Sequence, residues 1–132
     1  MKDAVATTNA PQAIGPYSQA VRRGEWLWVS GQIGLDPASG TLVSGGTVEE
    51  TKRVLDNLRA VIAAAGGSLD DIVRTTIYLV DLADFARVNE VYAGYFTAPF
   101  PARATVGVAA LPRGARVEID AIAVLSERKA QS

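Results

Sequence analysis

Apolar positions recur at helical spacing between Thr47 and Ala65 and at a spacing of two in several shorter runs. In the helical window Val48, Val54, Leu55, Leu58, Val61, Ile62 and Ala65 share one face. Glu49, Lys52, Arg53, Asp56 and Arg59 lie largely on the other side. Thr47, with Glu50 three residues on, has the spacing of a capping box and predicts the helix start. Gly66-Gly67 predicts its stop. A second helix is expected from Asp81 or Asp84 to about residue 96, with Phe85, Val88, Tyr92 and Tyr95 or Phe96 as its apolar stripe. Pro99 and Pro101 end the connection after it.

The period-two runs read as strands. Residues 17–21 form a short one, Arg22-Arg23-Gly24-Glu25 turns, and Trp26-Leu27-Trp28-Val29 follows as a bulky, β-prone run. Ser30-Gly31-Gln32-Ile33-Gly34 continues that strand, and its glycines predict a bulge or a close backbone approach. Residues 72–80 place Val73, Thr75, Ile77 and Leu79 on one face and Arg74, Thr76 and Tyr78 on the other. Residues 102–111 and 115–125 are predicted to pair as an antiparallel hairpin around Leu111-Pro112-Arg113-Gly114.

This order of strands, helix, strand, helix, strands predicts an α+β fold, in which two amphipathic helices cover one face of a single mixed sheet. Residues 1–132 make one domain, with residues 1–12 and 126–132 expected to be loosely ordered. Tyr78, Ile122 and Val124 point to the other sheet face. They are too apolar for open water in such numbers, so a homo-oligomer that buries this face is expected.

Composition removes whole classes of chemistry. The chain has 13 basic and 14 acidic residues, a balance that offers no general field for nucleic acid or for an anionic membrane. Neither a signal-peptide run nor a membrane span is present, and a cytoplasmic location is the expectation. Cysteine and histidine are both absent. A disulfide, a thiolate nucleophile, a Ser-His-Asp triad and an imidazole metal ligand are therefore excluded. Lysine occurs only at positions 2, 52 and 129, none of them suited to a buried Schiff base. Acid–base work must rest on carboxylates, tyrosine hydroxyls or water.

Arg103 is the first candidate. It opens a strand among Ala102, Ala104 and Val106, a setting in which a guanidinium needs an anion. Its planar fork matches a carboxylate or phosphate. A structural ion pair is the competing reading. Glu118, set between Val117 and Ile119, is the second candidate, as a base or water-positioning group or as a partner for Arg103 or Arg116. In the expected hairpin it lies opposite Gly107, whose missing side chain leaves room beside the carboxylate. Thr105 shares a strand face with Arg103. Tyr17 follows a Gly15-Pro16 turn, Asn89 lies off the apolar stripe of the second helix, and Ser30-Gly31 could offer backbone N–H groups to an anion.

Several strings together resemble a known family. They are Ala13-Ile14-Gly15-Pro16-Tyr17-Ser18-Gln19-Ala20, Ser30-Gly31-Gln32-Ile33, Asp36-Pro37-Ala38-Ser39-Gly40, Asn57-Leu58, Ala64-Ala65-Gly66, and Asp81-Leu82-Ala83-Asp84-Phe85-Ala86-Arg87-Val88-Asn89. Phe100-Pro101-Ala102-Arg103-Ala104-Thr105-Val106-Gly107-Val108, Leu111-Pro112 and Val117-Glu118-Ile119-Asp120-Ala121 complete the pattern. The chain resembles the reactive-intermediate deaminases, the Rid or YjgF family. The resemblance implies a chorismate-mutase-like fold and a homotrimer with clefts between subunits. It implies cofactor-free hydrolysis of 2-enamines and 2-imines of short 2-oxo acids, releasing ammonia. Arg103 would grip the substrate carboxylate and Glu118 would position or activate the water. Tyr17, Ser30, Gly31, Asn89 and Thr105 would line the cleft. Many members carry cysteine in place of Thr105 and glutamate in place of Gly107, which points to altered substrate size. A non-catalytic trimer that binds small acids and an RNase or translation inhibitor are the alternative readings. The near-neutral charge argues against the latter.

Overall fold

In the computed structural model, which describes residues 1–125, helix α1 spans Thr47–Ala64, where the apolar periodicity places it. The expected capping box does not form. Gly46 is the N-cap, and the two box side chains are taken by tertiary partners instead. The Thr47 hydroxyl donates to Asp84 Oδ2 at 2.8 Å, and Glu50 Oε1 accepts from the Arg116 backbone N–H at 2.8 Å. Both choices tie the start of α1 to other elements rather than to itself. Its end follows the glycine rule. The Gly67 N–H reaches the Ile62 carbonyl and the Gly66 N–H reaches Ala63, a Schellman closure made possible by φ +88° at Gly66.

The strands are β1 (Asp3–Val5), β2 (Ala20–Arg23), β3 (Trp26–Gln32), β4 (Ile72–Leu79), β5 (Ala102–Gly107) and β6 (Val117–Val124). They form one mixed sheet in the order β1-β2-β3-β6-β4-β5, antiparallel except for the β4–β5 pair. The second helix, α2 (Phe85–Ala93), starts after a 3-10 turn at Leu82–Asp84, whose cap Asp81 accepts from the Ala83 N–H. It is shorter than expected, yet Phe96 beyond its end still buries, 4.6 Å from the Tyr92 ring. The apolar stripes of both helices and alternate residues of the central strands form one core, with Leu55, Leu58 and Ile62 of α1 against Leu27, Ile77 and Ile119. This is the expected α+β arrangement of two helices on one face of a mixed sheet. No helix among the described residues is long and apolar enough to cross a membrane.

Four local expectations are corrected. The final hairpin does not exist: β4 lies between β5 and β6. Helix α2 supplies the crossover that a parallel β4–β5 pair requires, so β5 joins β4 at the sheet edge. That leaves β6 to pair on both sides, with β3 and with β4. Second, Arg22 and Arg23 belong to β2 rather than to a turn. The Arg22 guanidinium reaches the Ala65 carbonyl at 3.2 Å, a cation on the open end of α1. Third, Val73 is exposed because the β4–β6 register slips between Ile72 and Arg74.

The fourth correction concerns residues 1–12, which are not loose throughout. Asp3–Val5 pair with Ala20–Arg22, and the buried Gln19 side chain holds the segment that follows. Its Oε1 accepts from the Thr7 N–H at 2.7 Å, and its Nε2 donates to the Thr7, Ala10 and Pro11 carbonyls. The tail at 126–132 lies outside the described residues. On the face away from the helices, the Trp26 and Trp28 rings stack at 6.0 Å and are each about half exposed, beside half-buried Tyr78, Ile122 and Val124.

Gln19→Ala should lower the unfolding free energy by roughly 1–3 kcal/mol, since it strands a set of buried backbone groups. It should also speed proteolysis within residues 1–11. A denaturation midpoint equal to the wild type's would contradict this assignment of Gln19.

Candidate active site

Residues opposite one another in a ladder share a sheet face. Arg103 pairs with Thr75, whose hydroxyl bonds the Tyr92 phenol at 2.7 Å, so Arg103 lies on the helix-covered side at the sheet edge. Its Nη1 donates to Asn89 Oδ1 at 2.7 Å. The guanidinium stands 4.9 Å from the Tyr92 ring centre and 5.5 Å from that of Phe85. Aromatic faces stabilise a cation without neutralising it. Among the described residues no carboxylate pairs with Arg103. It lines a cavity of about 450 Å³ with Asn89, Tyr92, Phe100 and Pro101. Two residues along β5, Thr105 keeps its hydroxyl oxygen buried and without a partner.

Glu118 occupies the opposite face. It pairs with Tyr78 on β4, on the side that carries the two tryptophans. The room for its carboxylate comes from Gly31 and not from Gly107. A Cβ on Gly31 would stand 2.9 Å from Glu118 Cδ, so a side chain there would push the carboxylate out of its present place. The glycines after Val29 do mark a slip in the β3–β6 register. Gly107 faces Leu79 on the far side of β4, and Leu82 occupies the space beside it. Glu118 shares a groove of about 380 Å³ with Tyr17, Gly31, Ile33, Leu35 and Arg113. Buried Asn57 holds one wall of it, donating to the Ile33 and Leu35 carbonyls. Tyr17 stands half exposed above the groove, while the Ser30 hydroxyl turns away to the Ser18 carbonyl at 2.6 Å.

No hydrogen bond reaches the Glu118 carboxylate from the described residues, and neither Arg103 nor Arg116 pairs with it; the Arg116 side chain lies 3.9 Å from Glu50. Burial pushes the Glu118 carboxyl above its ordinary range, and the charge of Asp120 adds to the shift. The candidate residues thus form two groups within one chain: Arg103, Asn89 and Thr105 on the covered side, and Glu118, Gly31, Tyr17 and Ser30 on the other. From Arg103 to Glu118 is two strand spacings and three residues, about 10 Å in each direction, with the sheet between the side chains. The two residues line separate cavities of the chain.

A family model described as Endoribonuclease L-PSP matches residues 7–125. The mouse 2-iminobutanoate/2-iminopropanoate deaminase is 55% identical over 124 residues, 94% of this chain and 92% of that protein. The chain belongs to the Rid/YjgF family. RidA from Psychrobacter sp. PAMC 21119 superposes with a TM-score of 0.91 at 45% identity, covering 93% of this chain and 99% of that one. E. coli TdcF, solved with bound serine, gives a TM-score of 0.90 at 41% identity, covering 94% and 99%.

Within this Rid/YjgF chain, sequence reasoning missed the rings beneath Arg103. The sequence reading places Phe85 and Tyr92 in the core stripe of the second helix, and Asn89 off that stripe as a cleft residue. Their spacing of four and three residues places all three on one side of α2, and a polar residue between two aromatics on such a stripe was the available signal. Sequence reasoning also missed Asp120, two residues from Glu118 on the same face.

The raised carboxyl has a sign in stability. Folding favours the protonated Glu118, so its contribution is present below the unfolded value of about 4.3 and is lost as pH rises through the folded value. Glu118→Gln should therefore stabilise the fold relative to wild type at neutral pH, with the advantage shrinking in acid. Urea unfolding at matched protein concentration reads this; an advantage that grows in acid would reverse the assignment.

Proposed function

We propose that this Rid/YjgF chain hydrolyses 2-imines and 2-enamines of short 2-oxo acids to the oxo acid and ammonia. We further propose that the reaction runs in clefts completed between copies of a homotrimer with the chorismate-mutase-like arrangement that the family resemblance implies. The observation that carries the reading is the Arg103 guanidinium: a cation on two aromatic rings, bonded to a neutral amide, with no carboxylate beside it. Such a group has its fork available for a substrate carboxylate, a contact worth about 1.5–3 kcal/mol. The mouse relative, a 2-iminobutanoate/2-iminopropanoate deaminase, and E. coli TdcF with its bound serine point the same way. The half-exposed tryptophan face and the division of the candidate residues into two groups support a site shared between copies.

The chemistry asks little of the protein. An iminium carbon is already electrophilic, so orientation and one placed water supply most of the acceleration. An enamine enters by protonation at C3, which gives the same iminium. Water adds to C2, the C=N π bond opens, and one water proton passes to Glu118. The carbinolamine nitrogen then takes that proton back. The C–N bond breaks, the carbonyl forms, and nitrogen departs as ammonium with the hydroxyl proton. Atoms balance with neither oxidant nor reductant. A base whose carboxyl titrates above the ordinary range suits both proton transfers. Tyr17, Ser30 and Gly31 would line the Glu118 wall of the cleft; Asn89 and Thr105 would flank the arginine wall.

Generating 2-iminopropanoate with an amino-acid oxidase and following its loss tests the reading. Arg103→Ala should reduce kcat/KM by about 10- to 100-fold. An unchanged rate would remove Arg103 from the reaction. Binding of pyruvate without turnover would support the non-catalytic reading instead. RNA cleavage abolished by Glu118→Gln or Arg103→Ala would revive the nuclease reading instead.

A second measurement addresses the shared cleft. Arg103→Ala and Glu118→Ala chains, each strongly impaired alone, should regain roughly a quarter of wild-type activity when refolded together, since random mixing restores that share of clefts. No recovery from a mixture that co-assembles would place both residues in one chain's site.

A further inference from the structure

The face of the sheet away from the helices carries a polar cluster at its centre. Glu118 stands opposite Tyr78, and Asp120 stands opposite Thr76. Glu118 and Asp120, two residues apart on β6, share a face with their Cα atoms about 7 Å apart. The Tyr78 phenol does not serve the glutamate it faces. It reaches diagonally along the ladder and donates to Asp120 Oδ2 at 2.9 Å.

That choice has consequences for Glu118 on every side. From β3 the neighbour is Gly31, which brings no side chain. From β4 the neighbour is Tyr78, whose one hydroxyl proton is committed elsewhere. Across the groove, the Arg113 guanidinium donates to the Gly40 carbonyl at 2.9 Å, and the Tyr17 phenol stands half exposed. Arg74, further along β4, is exposed and pairs with neither carboxylate among the described residues. On its own strand, the like charge of Asp120 is the nearest ionisable group.

We propose that Asp120, held by Tyr78, is a positioning residue for the deamination: it acts through Glu118, keeping that carboxylate free of internal donors and poised at the cleft. The inference rests on the deaminase reading, since it assigns Asp120 a role only through that reaction. In this role Asp120 acts through its neighbours on the sheet face. It occupies the phenol that would otherwise cap Glu118, and its own charge opposes ionisation of its neighbour. A carboxyl placed in this way is the stronger base toward water and gives its proton back to nitrogen nearer to neutral pH. The directions of both shifts agree with the geometry. Asp120 raises Tyr78, first through the hydrogen bond, and it raises Glu118 in addition to burial.

The pH profile of kcat/KM for 2-iminopropanoate hydrolysis tests this in the full chain. In Asp120→Asn the acid limb should move to lower pH, because Glu118 ionises more readily, and plateau kcat should fall a few-fold with KM little changed. Asp120→Glu keeps the charge and should keep the acid limb near that of the wild type. A purely structural role for Asp120 would lower the active fraction without moving the limb. An unmoved limb in an active Asp120→Asn protein overturns the proposal.

A titration of the Glu118 carboxyl by carbon-13 NMR in the wild-type protein needs no variant to fold. Its curve should lie above the ordinary glutamate value of about 4.3. A curve at the ordinary value also overturns the proposal. Absence of turnover by the wild type would remove the deaminase reading and this role with it, whereas the NMR curve reports on Glu118 whether or not the reaction occurs.

Discussion

The insertion of β6 between β3 and β4 is the constraint on which the chemistry of this fold depends. As a strand paired on both sides, β6 buries Val117, Ile119, Ala121 and Ala123 under the helices and turns Glu118 and Asp120 to the opposite face. The same insertion sends β5 to the far side of β4, where a parallel pairing and the α2 crossover hold it. Arg103 is thereby delivered to α2 and its rings, with β4 and the thickness of the sheet between it and Glu118. One topological choice keeps a fixed cation and a fixed carboxylate from neutralising each other.

Each group is then kept reactive by what its surroundings withhold. Arg103 receives aromatic faces and an amide but no anion. Glu118 receives a glycine and a phenol whose proton is already engaged. A cation and an anion of this kind in direct contact would form an ordinary ion pair with no capacity for a guest. In the proposed assembly a neighbouring copy brings the complementary group, and the substrate lies between them.

The elements were legible where a local rule and the tertiary environment agreed. The α1 stripe and its Gly66 stop could be read directly, because one face of the helix packs and the other does not. The strands of the core could be read for the same reason. Partnership among strands could not. Residues 102–111 and 115–125 carry a turn between them, and local chemistry favours a hairpin; the competing term is the crossover helix, which claims β5 for β4. The misplaced pairing carried the site with it, so Gly107 was credited with the space that Gly31 provides. Thr47 and Glu50 matched a capping box, yet Asp84 and the Arg116 amide outcompeted the local bonds. Arg103 and Glu118 themselves were visible as charges in apolar strands, which is a statement about residue type and survives an error in topology.

Asn57 gives the Glu118 groove a property the arginine side lacks. Its amide fastens the Ile33 and Leu35 carbonyls to α1, so that wall of the groove is made of backbone anchored to the longest helix. Side chains along such a wall can be exchanged without moving the chain that bears them. Selection can therefore reshape this pocket for larger or smaller guests while the proposed grip on an acid group, carried by separate strands and a separate helix, stays as it is.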